Sequence, residues 1–304
     1  MADYISVIGG INIDMSGVPF QPLQMETSNP GQVHISPGGV ARNIAHNLGL
    51  LGIPVNLLGI VGNDVFGHYV REETRQAGVD VEQVIAVNGQ RTGAYLSVLD
   101  EHRDLSVAVS DMDIMRYLTA ADLARHESVL ANSAFVVADA NLEEDALQYI
   151  SDLCQHRKIP YLLEPVSFEK AKKLCYLAGK ATYVTPNRRE LEVMTGRKRS
   201  VLREQCASLQ PFYEHILVTL GERGVYHYEC DTGQETLFPA IPTRIVNVNG
   251  AGDAFVAGFV CGLFHQHPIT QAIRLGIAAA HLTLQARESV NNAISLSTCL
   301  SLAA

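Results

Sequence analysis

The sequence predicts an α/β fold: a mostly parallel central sheet covered by helices on both faces, with a small β-sheet inserted into it. Three observations predict this. Short apolar runs that end at glycine, proline or a polar residue (YISVIGG, AFVVADA, PYLLEP, ATYVTP, HILVTL) recur, and from about residue 114 onward they alternate with helical segments. Two alternating stretches, TGAYLSVLD and DLSVAVS, flank EHR at hairpin spacing and interrupt that rhythm. The 304 residues are 47% hydrophobic and 18% charged, enough apolar material for a sizeable core.

YISVIGG reads as a buried strand feeding a turn. INID follows, and the pattern then becomes irregular and polar through PFQPLQMETSNPGQ. VHIS alternates like a half-exposed strand. In PGGVARNIAHNLGLLG, Ile44, Leu48 and Leu51 stand at helical spacing behind a double glycine. VNLLGIVG is another buried strand, and DVFGHYVREETRQAG a helix that stops at Gly78. VHIS and the hairpin are expected to form the small sheet, from about 12–37 and 89–113, within one domain spanning 1–304. The last third is expected to end in helices around 253–264 and 270–286.

The net charge of −9 argues against a nucleic-acid backbone or an anionic membrane as partner, since both require a basic face. The basic run GRKRSVLR reads as a solvated loop and helix start. Six cysteines, none at CxxC spacing, read as reduced packing residues of a cytoplasmic protein. Asp3 stands where a secretory signal would carry positive charge, and no apolar run has the length of a membrane span. A soluble, cytoplasmic protein is expected.

NVNGAGDAF carries the strongest chemical signal. Gly250, Ala251 and Gly252 sit where a helix begins, and small residues there let an anion approach unpaired backbone N–H groups. Asp253 in that first turn reads either as a helix-stabilising acid or as a base that takes a proton from a substrate hydroxyl. TPNRREL places Asn187 and Glu190 three apart, as a capping box or as a pair suited to Mg²⁺ held through waters. VTLGERGVY, with Thr219, Gly221 and Gly224, is a tight hairpin or a flat backbone edge for a nucleotide. Asn12 and Asp14 lie on one side of an extended segment and can bracket vicinal hydroxyls, while Gly38 and Gly39 open a helix that carries Asn43. The chain has neither GxxxxGK[ST] nor GxGxxG after its first strand. Together these features describe a site for a polyol, a metal and a phosphate chain.

In their order, NID, then the double glycine, NRRE, TLGERG and GAGD, the sequence resembles the ribokinase-like (PfkB) family of sugar and nucleoside kinases over essentially its full length. The resemblance implies an α/β core with a small β lid, ATP and Mg²⁺ as cofactors, and a small-molecule acceptor. It also implies roles: Asp253 as base, Gly250, Ala251 and Gly252 as anion hole, and Asn187 and Glu190 as organisers of Mg²⁺. Thr219, Gly221 and Gly224 would lie along ATP, and Asn12, Asp14, Gly38, Gly39 and Asn43 would hold the acceptor's ribose, with Asn141 near it. SNPG, and GGVARN in place of the GGKGAN usual in ribokinases, point within the family to the branch that phosphorylates pseudouridine. Asn247 stands where ribokinases usually carry an acid of a monovalent-cation site, which puts potassium activation in doubt. Asn141 stands where they place a Glu. Lid strands are edge strands, and pairing with a second subunit's lid is one way to cover them.

Overall fold

Buried Ile5, Val7 and Ile8 set the centre of the molecule, because a strand buried on both faces must have sheet on each side and helices above and below. The computed structural model describes residues 3–102, 104–175 and 177–304, so Arg103 of the EHR turn lies outside the described residues. The first half runs β1 (Ile5–Gly9), β2 (Asn12–Pro19), β3 (Gly31–Gly38), α1 (Val40–Leu50), β4 (Val55–Gly62), α2 (Val65–Gln76), β5 (Val84–Val87), β6 (Gly93–Leu99), β7 (Leu105–Asp111), α3 (Ala120–Arg125) and α4 (Glu127–Ala131). The second half runs β8 (Phe135–Asp139), α5 (Glu144–Arg157), β9 (Tyr161–Glu164), β10 (Ala181–Val184), α6 (Arg188–Thr195), α7 (Leu202–Ser208), β11 (Tyr213–Thr219), β12 (Val225–Glu229), β13 (Gln234–Phe238), α8 (Ala251–Phe264), α9 (Ile269–Leu284) and α10 (Leu296–Ala303).

Nine strands form the main sheet in the order β13-β12-β11-β10-β9-β8-β1-β4-β5. The strands from β11 through β5 are parallel, and β12 and β13 add an antiparallel edge. One apolar cluster packs α1, α8 and α9 on one face, and a second packs α5 and α6 on the other. Phe259 on α8 is fully buried, and burying such a ring contributes about 1.5–3 kcal/mol. The chain builds outward from β1 to β4 and β5, then returns to β8 on the opposite side, so β1 and β8 flank a topological switch point. Ligands of open α/β sheets bind at the carboxyl ends of strands at such a point.

A separate four-stranded sheet has the order β3-β2-β6-β7. Here the structure corrects the sequence reading. The segment read as irregular after INID continues as strand to Pro19, because Met15–Gly17 are paired on both sides, by β3 and by β6. The third strand starts at Gly31, two residues before VHIS. TLGERG makes a tight antiparallel turn between β11 and β12. The four-residue run VIAV of β5 and the exposed β13 were not among the strands expected, and α10 lay past the last helix expected. Among the described residues no helix is long and apolar enough to cross a membrane.

Candidate active site

The carboxyl ends of the parallel strands converge on a cavity of about 150 Å³ lined by Glu164, Thr185, Asn187, Glu190, Thr219, Gly252 and Asp253, with apolar side chains beside them. Glu164 ends β9 and Thr219 ends β11, while Thr185 and Asn187 lie in the connection from β10 to α6. Gly252 and Asp253 belong to the first turn of α8.

That first turn is shaped by its cap. Gly250 has φ 77°, and a Cβ there would meet the Ser289 carbonyl oxygen at 1.8 Å, so only glycine fits. No side chain caps α8, in contrast to α6. The free N–H groups and the positive end of the helix dipole therefore stay available to an anion. A Cβ on Gly252 would meet nothing within 4 Å, so the backbone there is open to an incoming group.

Asp253 is half-buried by surface, yet its carboxyl sits deep enough that burial pushes it up to about 7; Asp139 and Asp14 add to the rise. Asn43 Nδ2 opposes it by donating to Asp253 Oδ2 at 2.8 Å, and buried Arg42 pulls the same way. Asn12 Nδ2 donates to Asp14 Oδ1 at 2.6 Å, and burial raises the Asp14 carboxyl despite that bond and Arg42. Gly38 lies tight against the Asp14 carboxylate. Gly39 has φ 102° and abuts the Gly10 carbonyl, where a Cβ would come within 2.3 Å. Asn141 packs against Gly10, accepts a hydrogen bond from Lys170 Nζ, and presents its own N–H to Asp139 Oδ1 at 2.9 Å.

The pair Asn187–Glu190 forms a complete capping box on α6: Asn187 Oδ1 accepts from Glu190 N at 3.0 Å, and Glu190 Oε2 from Asn187 N at 2.8 Å. Both oxygens of Glu190 are thus occupied, the second by Asn187 Nδ2 at 2.6 Å. Thr219 is tied to this turn through its N–H to the Pro186 carbonyl at 2.9 Å. Gly221 and Gly224 lie in the turn beyond β11 and do not line the cavity.

Several contributors escaped the sequence reading. Glu164 is held well above the usual carboxylate range by burial and by the neighbouring Glu190 and Asp253, with Thr185 donating to it. Fully buried Asp139 caps α1 from another strand, accepting from Ala41 N at 2.8 Å and from Gly10 N at 3.0 Å. The signal was present: an acid closes each of the apolar runs VVAD and YLLE, where a buried strand has no use for charge. Arg42, His46 and Lys170 gave no such signal, being single residues on α1 or at the start of a short 3-10 helix.

The raised carboxyls of Glu164 and Glu190 around one cavity form a donor set that fits a hard divalent cation, which would relieve their mutual repulsion. Among the described residues no three His, Cys, Asp or Glu side chains converge on a bare ion, so contact through water suits the geometry better.

The sequence pattern of the pfkB family carbohydrate kinases matches residues 2–295. The chain is 34% identical over 304 residues to the pseudouridine kinase of Escherichia coli K12, covering 99% of this chain and 96% of that one. A carbohydrate kinase from Agrobacterium tumefaciens superposes with a TM-score of 0.86 at 28% identity, covering 99% of this chain and 96% of that one. Arabidopsis thaliana ribokinase complexed with ribose and ATP shares the fold, with a TM-score of 0.83 at 20% identity over 100% of this chain and 99% of its own. A strand-end cavity with an uncapped helix N-terminus and a match along nearly all of the sequence lead to one conclusion: the chain belongs to the pfkB family of carbohydrate kinases, ATP-using phosphotransferases with an alcohol group as acceptor.

Proposed function

We propose that the protein transfers the γ-phosphoryl group of ATP to the 5′-hydroxyl of pseudouridine, with Asp253 as the base. The observation that carries the reading is Asp253 itself, a carboxyl tuned to about 7 in the first turn of a helix whose N-terminus no side chain caps. Phosphoryl transfer demands positioning and charge neutralisation more than covalent chemistry. Asp253 accepts the proton of the acceptor hydroxyl as the new P–O bond forms, and its pKa near neutrality suits both halves of that exchange. The N–H groups of Ala251 and Gly252, behind Gly250, hold the charge that develops on the transferred group.

Asn12, Asp14 and Asn43 offer donors and acceptors to the ribose hydroxyls, with Gly38 and Gly39 letting the acceptor come close and Asn141 beside it. Mg²⁺, when bound, would offset charge between the phosphates, and Glu190, Asn187 and Glu164 are the residues that would hold it through water. Thr219, Gly221 and Gly224 provide the backbone edge for the nucleotide. The small sheet serves as a lid that excludes water from the transfer.

Similarity to the Escherichia coli pseudouridine kinase supports the choice of acceptor. The rival is the same chemistry on ribose, a ketose, a sugar acid or uridine, and a weaker one is a sugar- or nucleoside-binding protein without turnover. ADP release with Mg-ATP against pseudouridine, uridine, adenosine, ribose and fructose separates them. Strong preference for pseudouridine supports the proposal, and preference for ribose or a hexose keeps the kinase while discarding the acceptor. Release with none of them leaves an acceptor outside the panel, such as a sugar acid, or the binding protein, and ligand-induced stabilisation with the same panel separates those.

A further inference from the structure

Arg42 is 3% exposed, yet none of its four hydrogen-bond acceptors is a carboxylate. Its Nε donates to Thr74 Oγ1 at 3.0 Å, one terminal nitrogen to the Pro37 carbonyl at 3.3 Å and to Asn43 Oδ1 at 3.1 Å, and the other to His46 Nδ1 at 2.7 Å. Burying a guanidinium among neutral acceptors is costly, so the arrangement calls for a reason beyond packing. A guanidinium only donates. The atom of Asn43 that faces it must therefore be the carbonyl oxygen, which leaves the amide nitrogen no choice but to point at Asp253.

The same logic runs the other way along α1. His46 must accept at Nδ1, so its proton sits on Nε2 and is donated to Asn292 Oδ1 at 3.2 Å. Burial, and next the Arg42 charge, hold His46 down at about 4, which keeps the ring neutral and able to accept. Thr74 Oγ1 gives its own proton to the Val70 carbonyl at 2.7 Å and so is free to accept from Arg42. Every donor and acceptor from Asn292 to Asp253 then has one allowed direction.

We propose that Arg42 is a positioning residue for phosphoryl transfer: by locking the amide of Asn43 it holds Oδ2 of Asp253 and leaves the other carboxylate oxygen to the acceptor hydroxyl. The inference rests on Asp253 acting as base, and it makes a claim about the carboxyl that holds without turnover. The charged or titrating groups around Asp253 are Asp14 on β2, Arg42 on α1, Asp139 on β8 and Glu164 on β9. Losing Arg42 removes the one cation of that set and frees Asn43 to turn.

The test is the titration of the Asp253 carboxyl, followed by carbon-13 NMR in the full-length protein without ligands, in wild type, Arg42→Met, Arg42→Lys and Thr74→Val. In Arg42→Met the midpoint moves up by about half a unit or more, with Arg42→Lys between it and wild type. With Mg-ATP and the best acceptor, kcat of Arg42→Met falls about 10- to 100-fold while the acceptor KM changes far less. Thr74→Val, which removes a single acceptor of Arg42, shifts both readouts the same way by less and stands in should Arg42→Met fail to fold. Unchanged midpoints across the folded variants overturn the proposal, even where the melting temperature drops. A shifted midpoint in a protein with no turnover keeps the positioning role and refutes the base.

Discussion

Asn43 and Asp253 stand 210 residues apart in sequence and meet at 2.8 Å, amide nitrogen to carboxylate oxygen, where the N-terminal half of α1 faces the first turn of α8. The contact joins the two glycine-led helix starts of the chain. It also opposes the burial that raises the Asp253 carboxyl, so the acid stays ionisable near neutral pH.

Replacing Asp253 by Asn keeps the size of the side chain and removes the carboxylate proposed as proton acceptor. A positioned base contributes roughly 10²- to 10⁴-fold. Turnover of Asp253→Asn is expected to fall by about that much, with ATP affinity by calorimetry nearly unchanged. ADP release within about tenfold of wild type would remove Asp253 from the role.

The pH profile follows from the same group. The base proposed at Asp253 acts ionised, so kcat is expected to rise with pH through about 7 and to flatten above it. Stability runs the opposite way. The folded pKa lies above the ordinary aspartate value of 3.8, so between those values the native state binds the extra proton and stability falls as pH rises. Thermal melting of Asp253→Asn against wild type is therefore expected to show a gain that is small near pH 4, grows to about pH 7 and then levels off. A gain independent of pH would show that Asp253 titrates normally.

How much of this was legible in the sequence depends on whether a residue's partner is local. The capping box at Asn187 and Glu190 and the glycine at position 250 are written within a few residues of each other, and both could be read from spacing. Asp139 caps α1 through Ala41 N, 98 residues earlier, and Arg42 is buried by groups from β3 and α2, so neither role leaves a local pattern. The extension of β2 past INID was hidden for the same reason, since its two partners come from later in the chain.

Glu190 is both cap and candidate metal acid, and one substitution separates the two. Glu190→Gln preserves a capping-box residue but removes the charge. Its melting temperature is expected to stay near wild type while the Mg²⁺ concentration needed for half-maximal ADP release rises several-fold. Asn187→Ala breaks the cap and is expected to cost about 1 kcal/mol in urea unfolding. Unchanged Mg²⁺ dependence in Glu190→Gln would leave the acid with its structural duty alone.

Asn247 bears on the need for a monovalent cation. Its Nδ2 donates to the Arg287 carbonyl at 2.8 Å and its Oδ1 accepts from Asn249 N at 3.0 Å, so the amide bridges the segment before Gly250 to the loop after α9. An acid there would face a carbonyl oxygen and need a cation between them; the amide supplies its own N–H. Equal rates are expected in potassium and tetramethylammonium chloride at matched ionic strength. Asn247→Asp is expected to lose rate in tetramethylammonium and regain it in potassium, whereas several-fold stimulation of the wild type by potassium would contradict this account.

Ile13 and Met15 pack one face of the small sheet against the main core, and among the described residues the rest of that apolar face stays exposed. Register puts Ile35, Met15, Leu96 and Val109 in one cross-strand row and Val33, Gly17, Val98 and Val107 in the next, and Val33, Ile35, Leu96, Val107 and Val109 are exposed. Asp14, Ser36, Tyr95 and Ser110 form a row on the opposite face, the one proposed to meet the acceptor. A second copy of the same apolar face is the partner proposed, since self-association would cover both without touching the polar side. Sedimentation at micromolar concentration is expected to show a dimer that Val107→Asp converts to monomer. Because the four strands then lose their packing on one side, the acceptor KM is expected to rise in that variant more than kcat falls. A wild-type monomer with normal kinetics would mean that the sheet positions the acceptor without a partner.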